Sequence, residues 1–301
     1  VVARPLVAPM IRALDLFAGG GGVAVAMRVL GIEATHVELD PSACATLRAM
    51  GEHRVIEGDV RELQRFAMLG AYDLVWSSHP CPRWSRATSR TRERAVDGWP
   101  WALDVIDATQ PRAVVIENVK DAPRVLWAHE LEARGYEVAH GLVNAMWFDV
   151  PQTRTRALVL AVRGGRRPRL PVPANDVPRP MRDALEPPGD RVVYPRGLGR
   201  AASEPWRLDR PSPTVMTTEA KGTRASAASG WTFHGGPDRA SDATFLATGL
   251  RRISETEAAR LQGFPEGHPF CGTSEARYRQ IGNAVPPPLA RAAILAALEA
   301  A

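Results

Sequence analysis

The chain is 301 residues long and 45% hydrophobic, enough to bury a full core as one large domain or one large and one small. Its formal net charge of +5 and pI near 9.5 suit a polyanionic partner without requiring one. No run approaches the roughly 18 apolar residues of a membrane span, the N-terminus lacks signal-peptide regions, and the scattered Cys44, Cys81 and Cys271 form neither metal pattern nor disulfide framework, which sets aside membrane, secreted and structural-metal classes and favours a reducing cytoplasm.

The first half alternates strand and helix. Ala13–Phe17 is a short apolar run ending at Gly19–Gly22, and Gly22–Leu30 carries helical spacing. A second strand is predicted over Ala34–Leu39, with a helix over Pro41–Met50. Further strands are predicted at Arg54–Ile56, Tyr72–Ser77 and Ala113–Glu117, the last continuously apolar as in a strand buried on both faces. Gly141–Asn144 and Ala157–Val162 complete the set. The pattern predicts an α/β fold with a doubly wound, mostly parallel sheet.

After Val162 the character changes. Arg163–Arg210 is rich in proline, arginine and glycine, and Thr217–Thr248 in Gly, Ala, Ser and Thr. Periodicity returns at Ser254–Leu261, where Ser254 and Glu257 form a capping box, and at Pro288–Ala300. The expected division is residues 1–162 as the main domain, 163–250 as a small irregular module, and 251–301 as a return to the main domain.

Asp15-Leu-Phe-Ala-Gly-Gly-Gly-Gly22 lies where the first strand turns into the first helix. Glycines there let the backbone approach a ligand, and the helix start offers N–H donors. Dinucleotides, phosphates and methionine-derived cofactors all use such a turn. Glu38, ending the second strand, suits ribose hydroxyls; Asp59, in Glu-Gly-Asp-Val, suits an adenine amino group. No Walker lysine is present, which argues against a P-loop nucleotidase.

Ser77-Ser-His-Pro-Cys-Pro-Arg-Trp-Ser85 follows the fourth strand directly, placing Cys81 over the cleft beyond the carboxyl ends of the strands. A lone cysteine is more often a small buried hydrophobe than a nucleophile. Here it is flanked by prolines, and Glu117-Asn-Val119 ends the neighbouring strand. A carboxyl beside a thiol suits attack on an electron-poor ring.

These motifs, in this order, resemble the cytosine carbon-5 DNA methyltransferase family. Phe17–Gly22 is similar to its F-x-G-x-G-G loop, Pro80-Cys81 to its Pro-Cys dipeptide and Glu117-Asn118-Val119 to its E-N-V. Gln152-Thr-Arg-Thr-Arg156 fits Q-x-R-x-R, and Arg210-Pro-Ser-Pro-Thr214 resembles the segment after the target-recognition region. Arg260-Leu-Gln-Gly-Phe-Pro265 and Gly282-Asn-Ala-Val-Pro286 match its last blocks, so the similarity runs from about Ala13 to Leu295.

The resemblance implies a Rossmann-like fold dependent on S-adenosylmethionine, with a small target-recognition module. It implies a cofactor site of Asp15, Phe17 (packed on adenine), Ala18, Gly19, Gly21, Gly22, Glu38, Leu39, Asp59, Val60, Pro80, Asn283, Ala284 and Val285. Catalysis falls to Cys81, Glu117, Arg154 and Arg156, with Pro80 and Asn118 beside them. Cys81 attacks C6 as thiolate, for which its resting pKa of about 8.5 must fall. Glu117, protonated, bonds N3, Arg156 touches the base, and the cytosine is flipped out of duplex DNA.

The chain departs from the common pattern in three places. Pro82, Arg83 and Trp84 stand where Gln, a variable residue and Phe are frequent; Leu39 replaces a common Trp, and Ala284 a common Ser. DNA contacts are expected from Arg83, Ser85, Arg196, Arg200 and Trp231. Arg166, Arg167, Arg169 and Arg191 are further candidates to read guanines or hold phosphates, and Phe233 and His234 flank Trp231 in sequence. The arginine excess, with Lys120 and Lys221 the sole lysines, also follows from codon bias in a GC-rich genome. A monomer in a bacterial or phage-infected cytoplasm is expected, with double-stranded DNA and a cognate restriction endonuclease as partners. The competing readings are an RNA methyltransferase using the same motifs and a catalytically silent homologue.

Overall fold

The computed structural model describes residues 10–62, 71–80, 97–186, 208–215 and 253–301. Strands β1 (Arg12–Leu16), β2 (Glu33–Glu38), β3 (Val55–Glu57), β4 (Leu74–Ser77), β5 (Ala113–Val119), β6 (Glu137–Asn144) and β7 (Thr155–Val162) form one sheet in the order β3-β2-β1-β4-β5-β7-β6. Only β7 runs against the others, pairing antiparallel with β5 and β6. The predicted doubly wound, mostly parallel sheet is what the structure contains.

Successive side chains on a strand face opposite sides, and both sides are buried. On β5, Val114 and Ile116 join Leu14, Leu16 and Val159 in one core, with Trp99, Ile106, Trp127 and Leu131. Those last four lie on α3 (Trp99–Thr109) and α4 (Arg124–Glu132). Ala113 and Val115 join Trp76, Leu158 and Leu160 in the other core. It is closed by α1 (Gly22–Val29) and α7 (Pro287–Leu298) through Val23, Met27, Leu289 and Ile294.

Helix α2 (Pro41–Ala49) is capped by Asp40, whose carboxylate accepts from the Ser42 and Ala43 amides. Helix α5 (Glu255–Leu261) starts with the predicted capping box: Ser254 Oγ accepts from Glu257 N at 3.1 Å, and Glu257 Oε2 from Ser254 N at 2.7 Å. A third, smaller core joins α5 to α6 (Ser274–Asn283) and to the short turn Met181–Ala184 through Met181, Leu261, Tyr278 and Ile281. By length and composition Ser274–Leu298 matches a membrane span. It is two helices broken at Ala284–Pro286, and its apolar residues pack into these cores.

The chain after β7 corrects one expectation. Val162 pairs with Ala113, the first residue of β5, so the turn that follows lies at the edge of the sheet away from the strands' carboxyl ends. There Arg166 donates to the Glu299 carbonyl and Arg167 Nε to the Val138 carbonyl. These two arginines fasten the chain to the scaffold instead of facing a nucleic acid. The segment then climbs along β6, Leu170 filling the space left by Gly141 and Ala174 N bonding Trp147 O at 2.8 Å, which shields an otherwise open strand edge.

Candidate active site

In an open α/β sheet, ligands bind beyond the carboxyl ends of the strands where strand order reverses. Here that point lies between β1 and β4, with Leu16 paired to Ser77. The glycine turn leaves β1 and the Pro80 turn leaves β4, so the two arise side by side.

Phe17 ends β1 by adopting a left-handed backbone with φ 60°, an uncommon state for a residue with a side chain. Gly19 and Gly21 follow with φ 56° and 84°. The loop is tied to β2: Ala18 N donates to Val37 O at 3.1 Å, and Gly19 N to Glu38 Oε2 at 2.7 Å. Glu38 Oε1 accepts from Leu39 N and Asp40 N. Burial raises the Glu38 pKa, opposed by these amide bonds. A side chain on Gly22 would meet the Val285 carbonyl at 2.1 Å, so only glycine allows Asn283-Ala284-Val285 to close on the loop.

Gly58 N bonds Glu38 O at 2.9 Å, setting Asp59 beside Glu38. Asp59 is paired with Arg61, whose hydrogen bonds lower its pKa. Val60 is buried in the core against which Phe17 packs, whereas Leu39 is 63% exposed. Asp15 differs from its neighbours. Its carboxylate is fully buried and bonded to His36 Nδ1 at 2.9 Å, so its side chain supports the loop from below. The cradle suits S-adenosylmethionine: close backbone approach at the glycines, and the half-buried Glu38 carboxylate with acceptor capacity for ribose hydroxyls.

Across the switch point, His79 is buried against Trp99 and Trp127, its ring centroid 4.6 Å from that of Trp127 in an edge-on arrangement. Burial pulls its pKa down to about 3, so the ring is neutral. The His79 carbonyl accepts from Asn118 Nδ2 at 2.9 Å, while Asn118 Oδ1 accepts from Val119 N. The Pro80 carbonyl accepts from Gly98 N at 3.0 Å, which ties the end of the β4 turn to the start of α3. Glu117, 5% exposed, is paired with Arg156, Nε to Oε1 at 3.0 Å. Burial lowers the Arg156 pKa, opposed by Glu117. Glu117, Arg156 and Asn118 are thus brought together beside the residues that lead into Cys81. Cys81, Arg83, Ser85, Arg196, Arg200 and Trp231 themselves lie outside the described residues, as do Pro82, Trp84, Arg191, Phe233 and His234.

Arg154, expected beside the reacting base, has another task. Its guanidinium is buried and donates to the carbonyls of Gly282 and Ala284, both at 2.9 Å, and of Val215. Gln152 works with it: Nε2 donates to Leu261 O and Gln262 Oε1, and Oε1 accepts from Val215 N. The two residues bolt the start of β7 to the Pro-Ser-Pro-Thr segment, α5 and the Asn283–Val285 turn. Gln152, His79 and Gln262 each stand in a motif legible in the sequence, but nothing in those motifs signals the contacts they make.

A glycine-turn cradle at the switch point, with the chain leading through His79 and Pro80 beside it, is the arrangement of an S-adenosylmethionine-dependent methyltransferase. The model of the C-5 cytosine-specific DNA methylase family matches residues 11–201 and 212–299, and the chain belongs to that family. It is accordingly a DNA cytosine-5 methyltransferase. Type II methyltransferase M.NgoMIV of Neisseria gonorrhoeae is 29% identical over 93% of this chain and 94% of its own length. Type II methyltransferase M.NaeI of Lentzea aerocolonigenes is also 29% identical, over 94% of this chain and 73% of its own. Among solved structures, S. pombe Dnmt2 methyltransferase superposes with a TM-score of 0.69 at 20% identity, covering 96% of this chain and 98% of that one. A DNA modification methyltransferase encoded within an E. coli prophage gives 0.67 at 18%, with the same coverage.

Proposed function

We propose that the enzyme methylates cytosine in double-stranded DNA through a transient bond between Cys81 Sγ and C6 of a base rotated out of the helix. The observation that carries this reading is the bond from Asn118 to the His79 carbonyl, which fixes the entry to Pro80-Cys81 beside Glu117 and Arg156. S-adenosylmethionine supplies an electrophilic methyl group on a sulfonium.

The Cys81 thiolate adds to C6, forming the S–C bond, while Glu117 donates its proton to N3 and so absorbs the charge pushed into the ring. Arg156 holds Glu117 in place and presents its remaining donors to the base. After C5 has been methylated, a base removes the C5 proton, the electron pair expels Cys81, and N3 returns its proton to Glu117. Rotating the base out costs a few kcal/mol, offset by phosphate and orphan-base contacts. We assign those contacts to Arg83, Ser85, Arg196, Arg200 and Trp231, and residues 163–250, apart from the stretch that Arg166 and Arg167 fasten to the scaffold, to target recognition, between a catalytic domain of 1–162 and a returning segment of 251–301.

That the bacterial relatives are type II methyltransferases supports a cytoplasmic enzyme working opposite a cognate endonuclease. We take it to act as a monomer. The test is a DNA duplex carrying 5-fluorocytosine, incubated with S-adenosylmethionine. Fluorine cannot leave as a proton, so a covalent adduct accumulates with the parent and not with Cys81→Ala. An adduct on RNA alone would make this an RNA enzyme, and none on either would make it silent.

A further inference from the structure

The peptide between Gly20 and Gly21 is held at both ends. Its N–H, on Gly21, donates to Ala18 O at 3.3 Å, and its carbonyl, on Gly20, meets His268 Nε2 at 2.9 Å. A glycine–glycine peptide rotates most freely of any, and this one sits between Gly19 and the first turn of α1. His268 comes from a distant part of the chain, the loop between α5 and α6, and its ring is gripped by two others. Its centroid lies 4.5 Å from Phe264 and 4.4 Å from Phe270. Phe270 also closes on the loop, since a side chain on Gly20 would meet it at 3.1 Å and Gln280 Cβ at 2.9 Å. Burial depresses the His268 pKa to about 4, so at working pH the ring is neutral and can donate through Nε2 to the carbonyl.

We infer that His268 is a positioning residue for the cofactor loop: by anchoring the Gly20 carbonyl it prevents rotation of the 20–21 peptide and keeps the loop in its ligand-accepting form. The inference rests on the glycine turn being the S-adenosylmethionine site. Its role is in binding, not in chemistry, which gives it a distinct signature. His268→Phe keeps a ring between Phe264 and Phe270 but removes the donor, whereas His268→Gln keeps an N–H donor and loses the ring.

The test is titration calorimetry of S-adenosylmethionine into the full chain, with melting temperature and kcat at saturating cofactor. His268→Phe should weaken binding about tenfold, as one lost hydrogen bond does, with kcat and melting temperature near the parent's. His268→Gln should recover most of that affinity. Parent-like binding by His268→Phe would overturn the inference alone, as would equal losses in both variants. A parent that binds no S-adenosylmethionine would overturn the site assignment, and this inference with it.

Discussion

Gln152 and Gln262 meet through a buried hydrogen bond of 2.8 Å between their side-chain amides, across 110 positions of sequence. Gln262 passes the link on to Ile281 O at 2.5 Å, and Gln152 receives it from Val215 N at 2.8 Å. Two side chains therefore connect the Pro-Ser-Pro-Thr segment at Val215 to the helix that leads into Asn283-Ala284-Val285. Buried amides of this kind are costly to break singly, because each partner is left without water.

Gln152→Leu strands the Val215 N–H, the Leu261 carbonyl and the Gln262 carbonyl oxygen together. It should cost about 2–4 kcal/mol of stability, read as a lower denaturation midpoint. Gln152→Glu keeps the acceptor for Val215 but sets an oxygen against two others. It should be at least as harmful despite its similar shape. Parent-like midpoints in both variants would mean the network contributes nothing.

In the proposed mechanism Asn118 acts on the chemistry through the main chain. Asn118→Ala frees the His79 carbonyl and the turn before Pro80-Cys81 while leaving the glycine cradle untouched. The rate of adduct formation on 5-fluorocytosine DNA should fall roughly 10- to 100-fold, the equivalent of 1–3 kcal/mol. Affinity for S-adenosylmethionine should stay within a few-fold. Loss of both together would place Asn118 in the cofactor site instead.

The glycine turn, Glu38 and the Glu117–Val119 strand end were legible because they sit at strand termini, where short motifs and local apolar runs report position directly. Helices α3, α4 and α6 were not. In α4 the exposed Val125 and Leu126 lie beside the buried Trp127, which blurs the helical period, and α6 is largely polar around Ala276, Tyr278 and Ile281. The roles of Arg154, Gln152 and His268 depend on carbonyls brought close only by the fold. Nothing local distinguishes an arginine that reads a base from one that clamps Gly282 and Ala284.

Glu117 and Arg156 should separate in their effects. Glu117→Gln retains size and polarity but has no proton to give N3, and adduct formation should slow by about 10²–10⁴-fold, the range for general acid catalysis. Arg156→Lys replaces a planar fork with a single ammonium and loses the Nε bond to Oε1. Its rate should fall as well, with affinity for DNA nearly unchanged, because one buried guanidinium contributes little to phosphate binding. Band-shift titrations alongside single-turnover rates would show the split. A parent-like rate for Glu117→Gln would remove it from the mechanism.

Two buried histidines give stability opposite pH limbs. His36 lies between Asp15 Oδ2 at 2.9 Å and Glu52 Oε2 at 3.4 Å, with Arg28 on the far side of Glu52. Burial opposes its charge, but the bonds to Asp15 and Glu52 prevail and lift its pKa to about 9. A raised folded pKa means the stabilisation is complete below the unfolded value of about 6.5 and is lost as pH climbs toward 9. For His79 burial alone acts, depressing the pKa to about 3. Its contribution is complete above about 6.5 and drains away as pH falls from there. Denaturation midpoints across pH 4–10 should therefore peak near neutrality, each unit of pKa shift being worth about 1.4 kcal/mol. His36→Gln should flatten the alkaline limb and spare the acid one, while His79→Phe should make the acid limb shallower, the remainder coming in part from His268, and spare the alkaline one. An alkaline limb that persists unchanged in His36→Gln would show that the Asp15–His36–Glu52 cluster is not the group that titrates.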